Sequence, residues 1–218
     1  KVTAEAPSGV AIITTIDSGE NNIVLDSGAN ACLTAADVRE AEALFADASI
    51  VLMQLETPVE ALVEAAALGK KAGAYVVLNP APAPKEPLPE ALLKNVDLLI
   101  PNETEASYIA GIEVKGEDDI PAAMDEIQKL GVKDVIITVG SKGVCARLDG
   151  ELIRVPAFKV KAVDTTAAGD TFCGALCVAL SQGKSLPDAI LFGNKAASIS
   201  VTRRGAQMSM PHLDEVEL

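Results

Sequence analysis

The residues best suited to binding or catalysis lie in Asp164–Phe172. There, two aspartates flank small side chains, and an apolar helical pattern follows. Small side chains let a ligand approach the backbone, and the first N–H groups of a helix, here those of Ala168, Gly169 and Asp170, can hold an anion. A carboxylate repels phosphate, so Asp170 suits a base that takes a proton from a hydroxyl nucleophile. The local sequence equally fits an aspartate that only complements the helix dipole.

Other side chains limit the remaining catalytic chemistry. The single histidine, His212, lies in an acidic C-terminal segment, which argues against a Ser–His or Cys–His triad. Cys173 and Cys177 are four residues apart in the helical pattern, and no further Cys or His completes a tetrahedral metal set, so packing is favoured over metal binding. The four cysteines contain no CxxC pair, and we expect reduced thiols. Acid and base chemistry therefore falls to carboxylates and lysines.

These residues need a scaffold, and the sequence alternates short apolar strands with amphipathic helices. The strand pattern occurs at Ser49–Met53, Tyr75–Leu78, Asp97–Ile100 and Asp134–Val139. Such alternation is typical of a mostly parallel sheet with ligand sites at the carboxyl ends of its strands. We therefore predict a doubly wound α/β fold with helices on both faces of the sheet. The loops of interest follow Met53, Leu78, Ile100, Val139 and Val163.

Two β-hairpins are also predicted. The first joins β-like runs at Val10–Ile16 and Asn22–Asp26 through a turn at Ser18-Gly19. The second turns at Asp149-Gly150, a dipeptide that favours the positive φ angles of a two-residue turn. The length of 218 residues suits one domain with a small appendage.

The charge balance argues against several classes of partner. Eighteen Lys and Arg against 31 Asp and Glu give a formal net charge of −13, which repels nucleic-acid phosphates and anionic lipid headgroups. The longest uncharged stretches run to thirteen residues, as at Thr171–Gly183, whereas a membrane-spanning helix needs about 20 apolar residues. The N-terminus lacks a basic region followed by an apolar one. We therefore expect a cytoplasmic protein without nucleic-acid or membrane partners.

Several motifs carry a resemblance to a known family. The segment DTTAAGDTF resembles the DTxGAGD signature of the ribokinase, or phosphofructokinase-B, family of sugar kinases. Asn102–Glu105 is similar to the NxxE motif of that family, Gly140–Gly143 to its nucleotide loop, and Thr202–Gln207 to its late cation and adenine segment. Gln54–Glu56 and Asn79–Pro82 are typical of its ribokinase branch. The resemblance covers essentially the whole chain, while the N-terminal part of the family fold has no counterpart here.

The resemblance implies a phosphoryl-transfer site. Asp170 would be the catalytic base, and the backbone of Ala167, Ala168, Gly169 and Asp170 would form the anion hole. Glu56 would face the sugar. The residues implied in binding ATP and Mg²⁺ are Asn102, Glu105, Thr138, Val139, Gly140, Ser141, Lys142, Gly143, Gly169 and Asn194.

The same positions have plainer interpretations without the resemblance. Asn102 fits a helix cap and Glu105 a solvated helix residue, and the segment 138–143 fits a strand-to-hairpin turn. Asn194 lies in the middle of a helical pattern and also fits a solvated side chain. Glu56 fits an ordinary loop carboxylate just before a helix.

The resemblance also implies an activating K⁺ ion. Asp164 would supply a carboxylate and the other positions mostly carbonyl oxygens, which suit a large, weakly hydrated cation. Without the resemblance, Asp164 fits a turn at the end of a strand, and Arg203-Arg204 fits a basic pair at a helix C-terminus that Gly205 ends. The positions implied at this cation site are Asp164, Thr166, Ser200, Arg203, Gly205 and Ser209.

The implied activity is transfer of the γ-phosphate of ATP to a primary sugar hydroxyl, with O5 of ribose favoured. Fructose, a ketodeoxy sugar acid and a nucleoside are alternative acceptors, because the family's sugar-holding glycine pair, Asn and Asp belong to the part without a counterpart. A catalytically incomplete nucleotide-binding module is an alternative of a different class. We expect residues 1–30 to form a lid-type β-hairpin segment through which two copies pair, and residues 31–218 to form the ribokinase-like core.

Overall fold

The computed structural model describes residues 2–15 and 21–216. The strands are β1 (Val10–Thr15), β2 (Asn21–Asp26), β3 (Ile50–Met53), β4 (Tyr75–Leu78), β5 (Leu98–Leu99), β6 (Asp134–Thr138), β7 (Val144–Leu148) and β8 (Glu151–Val155). The α-helices are α1 (Ala35–Glu40), α2 (Val59–Ala72), α3 (Glu90–Leu93), α4 (Glu103–Ala110), α5 (Ile120–Lys129), α6 (Ala168–Ser181), α7 (Leu186–Ser200) and α8 (Leu213–Val216). Within the described ranges, every helix is too short or too polar to traverse a bilayer.

The chain divides into two compact units. The first takes in Lys1–Val10, Leu25–Thr138 and Cys145–Ile153. The second takes in Ala11–Val24, Val139–Val144 and Arg154–Leu218. Helices α1 to α5 and strands β3 to β6 therefore belong to the first unit, and helices α6 to α8 belong to the second. The expected boundary between a lid segment and a core at residue 30 stays a prediction.

Strands β3 to β8 form one six-stranded sheet in the order β3-β4-β5-β6-β7-β8. The pairs β3/β4, β4/β5 and β5/β6 are parallel, with Met53 opposite Leu78 and Leu78 opposite Leu99. Val77 and Leu98 have no exposed surface, which explains why these strands read as continuous apolar runs. Parallel pairing places the carboxyl ends of β3 to β6 at one edge of the sheet, as the sequence predicts.

The two hairpins differ in how far the structure describes them. Asp149 and Gly150 join β7 to β8 with φ of +47° and +87°, the positive values that a two-residue turn requires, so the second predicted hairpin is confirmed. Strands β1 and β2 pair as a two-stranded sheet where the first hairpin is predicted. The turn expected at Ser18-Gly19 lies outside the described residues.

Thr34–Asp37 is a capping-box pattern, and it predicts a helix that continues to about Ala46. Helix α1 begins at this pattern but ends at Glu40. The Thr34 hydroxyl accepts the Asp37 N–H at 3.2 Å while the Asp37 carboxylate accepts the Thr34 N–H at 3.0 Å, a reciprocal cap that fixes the first turn. The expected continuation to about Ala46 is wrong. The Ala41 N–H is shared between the carbonyls of Asp37 and Val38, and this tightening leads into a 3₁₀ segment at Glu42–Phe45.

Helices α6 and α7 pack against each other in the second unit. Leu176 and Ile190 are fully buried there. Gly193 permits the close approach, because a Cβ at this position would lie 2.8 Å from the ring of Phe172. Cys177 is also buried, and burial raises the pKa of its thiol to about 11, in agreement with packing as the role of this cysteine.

Candidate active site

The small-residue turn before α6 has an uncommon backbone conformation. Ala167 has φ of +59° and ψ of +16°, in the left-handed region that alanine rarely adopts. Its carbonyl accepts the N–H and the hydroxyl of Thr171 at 2.9 and 2.8 Å, which fixes the turn to the first turn of the helix. Among the described residues, no side chain caps α6. The positive end of the helix dipole is therefore left for a ligand rather than for a capping side chain.

The amides of this turn differ in their surroundings. The Ala168 N–H donates to the Thr165 carbonyl at 3.2 Å, so a bound anion would share or replace that bond. Gly169 borders open space, since a Cβ placed on it would meet no atom of the described chain within 4 Å. Gly169 thus has open space beside its backbone at the helix start, next to Ala168.

Asp170 follows in the first turn of α6 and is exposed. It borders a cavity of about 270 Å³, whose walls are mainly apolar and include Phe192, Met210 and Leu213. The carboxylate therefore combines solvent access with an apolar neighbouring surface. This is a suitable place for a base that must receive a proton from a bound hydroxyl group.

Asn102 and Glu105 form a reciprocal cap at the start of α4 in the first unit. The Asn102 side-chain oxygen accepts the Glu105 N–H at 2.8 Å, and the two Glu105 carboxylate oxygens accept the backbone and side-chain N–H groups of Asn102 at 2.9 Å each. Glu105 is buried and Asn102 is exposed, so the solvated interpretation of Glu105 is wrong. The cap holds both side chains in one arrangement at the carboxyl end of the parallel sheet.

Glu56 lies in the loop that follows β3 and is exposed. It lines a cavity of about 800 Å³ in the first unit, together with the proline-rich segment 82–89. The cavity is large enough for a sugar, because small-molecule sites commonly have volumes of about 300–1,000 Å³. A role for Glu56 toward a sugar stays a prediction.

The loop after β6 has the shape of a tight turn that is open on one side. The Val139 N–H donates to the Gly143 carbonyl at 2.8 Å, and a 3₁₀ turn at Gly140–Lys142 lies between them. Ser141 and Lys142 are exposed. Gly140 has φ of +54° and open space beside its Cα, so the backbone is accessible to a ligand there.

Asn194 is buried on α7, so the solvated interpretation of this side chain is wrong. Its amide group donates to the carbonyls of Val155 and Pro156 at 3.3 and 3.4 Å. Gly143 packs against the same segment, since a Cβ on Gly143 would lie 2.2 Å from the Val155 carbonyl oxygen. Asn194 and the nucleotide loop thus contact one stretch of backbone, whereas contact between Asn194 and adenine stays a prediction.

Asp164 joins two turns of the second unit. One carboxylate oxygen accepts the Thr166 N–H at 2.9 Å and the other accepts the Gly205 N–H at 3.0 Å. The Thr166 hydroxyl, with the backbone N–H groups of Gly205 and Thr166, holds the pKa of Asp164 below its ordinary value. Asp164 is therefore ionised at neutral pH and fixed between the segments that carry the other predicted cation ligands.

Among the remaining cation positions, Ser200 ends α7, and Arg203, Gly205 and Ser209 lie on the segment that follows it. The hydroxyls of Ser200 and Ser209, both buried, donate to the carbonyls of Ala197 and Ala206 at 2.9 and 2.7 Å. A hydroxyl that donates its hydrogen keeps its oxygen lone pairs, so both the backbone and the hydroxyl oxygens can serve as ligands at these two positions. The Arg203 guanidinium pairs with both carboxylate oxygens of Glu215.

The predicted residues fall into separate groups. The first unit carries Glu56, Asn102, Glu105 and Thr138, and the second carries Val139, Gly140, Ser141, Lys142, Gly143, Asp164, Thr166, Ala167, Ala168, Gly169, Asp170, Asn194, Ser200, Arg203, Gly205 and Ser209. Sequence reasoning missed Glu215, the partner of Arg203, and Thr165, whose carbonyl binds the Ala168 amide. For Glu215, the only signal in the sequence was the acidic character of the C-terminal segment. No signal in the sequence indicated the role of Thr165.

Solved structures share this α/β architecture. A structure of Arabidopsis thaliana ribokinase complexed with ribose and ATP superposes with a TM-score of 0.89 at 36% identity, covering 97% of this chain and 69% of that one. A ribokinase structure from Thermotoga maritima gives a TM-score of 0.86 at 40% identity, covering 99% of this chain and 70% of that one. The chain therefore has a ribokinase-like α/β fold with a small hairpin, as the resemblance implied.

Sequence comparison gives the family directly. The pfkB family of carbohydrate kinases matches residues 1–213. A ribokinase of Haemophilus influenzae is 46% identical over 208 residues, which cover 95% of this chain and 67% of that protein. The chain belongs to the pfkB family of carbohydrate kinases.

Proposed function

We propose that this chain catalyses ATP-dependent phosphorylation of ribose at O5. The observation that carries the proposal is the turn before α6, where the left-handed Ala167 leads into a helix start that no described side chain caps, beside the exposed Asp170. The comparisons support it, since the bacterial relative is named ribokinase and the plant structure holds ribose and ATP.

The proposed reaction divides the chemistry among a few groups. The sugar hydroxyl oxygen forms a bond to the γ-phosphorus, the bond from that phosphorus to the β–γ bridging oxygen breaks, and ADP leaves. Asp170 takes the hydroxyl proton. The N–H groups at the start of α6, with the helix dipole, stabilise the charge that develops on the transferring phosphoryl group. The segment 138–143 and Asn194 contact the nucleotide, and Glu56 faces the sugar.

The described residues fit Mg²⁺ bound mainly through phosphates and water. Within residues 2–15 and 21–216, no three His, Cys, Asp or Glu side chains come together as metal ligands. Mg²⁺ commonly takes only one or two protein oxygens and keeps its waters, and when bound it neutralises charge on the phosphates. The Glu105 oxygens already accept hydrogen bonds from Asn102, so we propose that these two residues act on the waters around the ion.

The second unit fits K⁺ for a different reason. Its candidate ligands are the ionised Asp164 and backbone or hydroxyl oxygens of Thr166, Ser200, Arg203, Gly205 and Ser209. An oxygen-only set with a single carboxylate suits a large monovalent cation better than a transition metal. K⁺ bound there would lie beside the turn that precedes the anion hole, because Asp164 and Thr166 belong to that turn.

Product identification tests the proposed reaction. The chain is incubated with ATP, Mg²⁺ and ribose, and phosphorus NMR identifies the products. We expect ribose 5-phosphate and ADP in equal amounts, formed faster in K⁺ than in Na⁺ or Li⁺ at matched ionic strength. Absence of ribose 5-phosphate would contradict the proposal, and equal rates in the three salts would contradict the K⁺ assignment. Fructose, a ketodeoxy sugar acid and a nucleoside, tested in parallel, would reveal another preferred acceptor.

The second candidate function is a nucleotide-binding module without turnover. The observation in its favour is that the second unit carries both the loop at 139–143 and the turn at 167–170, the two backbone segments proposed to bind the nucleotide. Calorimetry with MgATP separates the two candidates when combined with the product assay. Heat of binding without product supports the module, whereas binding with product supports the kinase. A folded sample that gives no heat contradicts both.

We also propose that residues 1–30 form a lid segment through which two copies of the chain pair, beside a core at 31–218. Ile12 and Val24 on the hairpin are 63% and 64% exposed, and contiguous exposed apolar surface commonly marks an interaction site. Sedimentation at micromolar concentration tests this, with Ile12→Asp as the variant. We expect a dimer for the parent and a monomer for the variant, and a monomeric parent would contradict the pairing.

The other proposed partners are the sugar and ATP alone. The net charge of −13 disfavours nucleic acid and anionic membranes, and a cytoplasmic location completes the proposal. Retention of the chain on duplex DNA at physiological salt would contradict the first part.

A further inference from the structure

Asn79 is a buried polar residue that the proposed reaction does not use. It follows β4 directly and is 8% exposed. Its side-chain oxygen accepts the Gln54 Nε2–H at 3.1 Å, and its Nδ2–H donates to the Ile100 carbonyl at 2.7 Å. The side-chain oxygen of Asn79 therefore binds Gln54, and its side-chain NH₂ group binds Ile100. Gln54 lies directly after β3, and Ile100 lies directly after β5.

These two contacts link strands that do not pair with each other. Gln54 follows β3 and Ile100 follows β5, and β4 lies between those strands in the sheet. Neighbouring strands are about 4.8 Å apart, so β3 and β5 are separated by about twice that distance. The backbone of Asn79 pairs with Met53 through its N–H, at 2.9 Å. The side chain adds a bridge across the carboxyl edge of the sheet that the backbone ladder cannot supply.

The two residues that Asn79 binds are each two positions before a predicted site residue in the sequence. Gln54 precedes Glu56, and Ile100 precedes Asn102. Asn102 is joined to Glu105 by reciprocal hydrogen bonds, so a shift of Ile100 would carry this cap with it as one piece. The Asn79 side chain thus links the loop of Glu56 to the start of α4, in addition to the backbone bonds of Asn79 to Met53 and of Ile100 to Leu78.

We propose that Asn79 is a positioning residue for the phosphate-side pair Asn102 and Glu105, acting through the Ile100 carbonyl. This inference rests on the proposed function, because it assigns Asn79 to the binding of MgATP. The alternative is that Asn79 only satisfies buried polar groups, as buried side-chain amides commonly do. The two alternatives differ in whether loss of the donor changes the ligand affinity of correctly folded molecules.

Calorimetric titration of the full chain with MgATP tests the proposal. Asn79→Asp keeps the acceptor for Gln54 and loses the donor to Ile100, and Asn79→Ser is a smaller change that also loses the amide donor. Gln54→Leu removes the opposite contact. Asn95→Asp is the matched control, since Asn95 also donates to a carbonyl, that of Ala91 at 2.9 Å, on an exposed helix end.

We expect Kd for MgATP to rise about fivefold in Asn79→Ser, the effect of losing one neutral hydrogen bond, and by at least as much in Asn79→Asp, because its buried carboxylate would also face the Ile100 carbonyl oxygen. Kd should stay within about twofold in Gln54→Leu and Asn95→Asp. A structural role alone would lower the melting temperature and the fraction of binding-competent molecules while leaving Kd unchanged, and that result overturns the proposal. Failure of both Asn79 variants to fold, or an equal rise in Gln54→Leu, overturns it as well. A parent chain that does not bind MgATP overturns the proposed function and this inference together.

Discussion

At the scale of single residues, Ala167 carries backbone strain that its own side chain does not relieve. Asp149 and Ala167 are the two non-glycine residues with positive φ in the described ranges. Asp149 lies in a two-residue turn, where such angles are expected. Ala167 instead lies immediately before α6, and strained residues of this kind persist where the surrounding structure fixes them, commonly at ligand sites.

Ala167→Gly tests that strain. Glycine adopts the left-handed conformation without a Cβ clash, so the free energy of unfolding should rise by about 1 kcal/mol. Ala175→Gly, within α6, is the matched control and should lower the free energy of unfolding by about 1 kcal/mol. Urea denaturation measures both changes. A loss of stability in Ala167→Gly would contradict the strained conformation.

Tyr75 gives the fold a sensitivity to alkaline pH. Burial, followed by the nearby charges of Asp134 and Asp97, raises the pKa of Tyr75 above its ordinary value of 10.0. Below pH 10 the hydroxyl is neutral in both the folded and unfolded states, so its stabilising contribution is complete. Above pH 10 the unfolded chain ionises first, and the contribution is lost as the pH rises toward the folded pKa. We expect the stability difference between the parent and Tyr75→Phe to shrink from pH 9 to about pH 11.

Urea denaturation at each pH provides the measurement for this prediction. Tyr108→Phe is the control, because Tyr108 is 65% exposed and its variant should follow the parent throughout. A difference between the parent and Tyr75→Phe that stays constant across this range would refute the role of burial at Tyr75.

At the scale of elements, Gly143 fixes the loop after β6 against the segment that leaves β8. Its φ is +99°, and an added Cβ would lie 2.2 Å from the Val155 carbonyl oxygen and 2.5 Å from the Ala157 nitrogen. Gly143→Ala should therefore destabilise the protein through the left-handed backbone, about 1–2 kcal/mol, and through the clash, about 1–3 kcal/mol more. Gly183→Ala, with φ of +80° and open space around it, should show the backbone effect alone. Equal losses in urea denaturation would contradict the close contact.

The strands of the sheet could be predicted because buried strands consist mainly of apolar residues, and such runs are visible in the sequence. Strands β3 to β6 consist mainly of Val, Ile and Leu, and the sequence placed them within about two residues of their observed bounds. Asp149-Gly150 identified the β7/β8 hairpin through local turn preference. The early end of α1 was not predictable, because the hydrogen bond that tightens the chain at Ala41 is shared between two carbonyls and leaves no signal in residue type.

The parts of the candidate site that could be predicted are those formed by residues close together in the sequence. The turn at 164–170 and the cap at Asn102–Glu105 are formed by neighbouring residues, so their pattern was visible in the sequence. Contacts between distant residues were not visible. The pair of Arg203 with Glu215 and the bridge made by Asn79 depend on how the backbone brings separate segments together, and no spacing rule in the sequence indicates them.

At the scale of the whole molecule, the net charge of −13 conflicts with binding an anionic nucleotide. The conflict is resolved locally if the phosphates are held by backbone N–H groups, a helix dipole and Mg²⁺ rather than by a basic patch. A binding site made of backbone should tolerate replacement of nearby side chains. Catalysis by the same site should depend on one side chain, that of Asp170.

Turnover and MgATP affinity of Asp170→Asn, measured on the same samples, test the central claim most directly. If Asp170 is the base, turnover of ribose should fall by about 10²–10⁴-fold while Kd for MgATP stays within about threefold of the parent value, since the anion hole is backbone. If Asp170 only complements the dipole of α6, turnover should be nearly unchanged, because that role makes no direct contribution to proton transfer. Turnover within about tenfold of the parent would contradict the account.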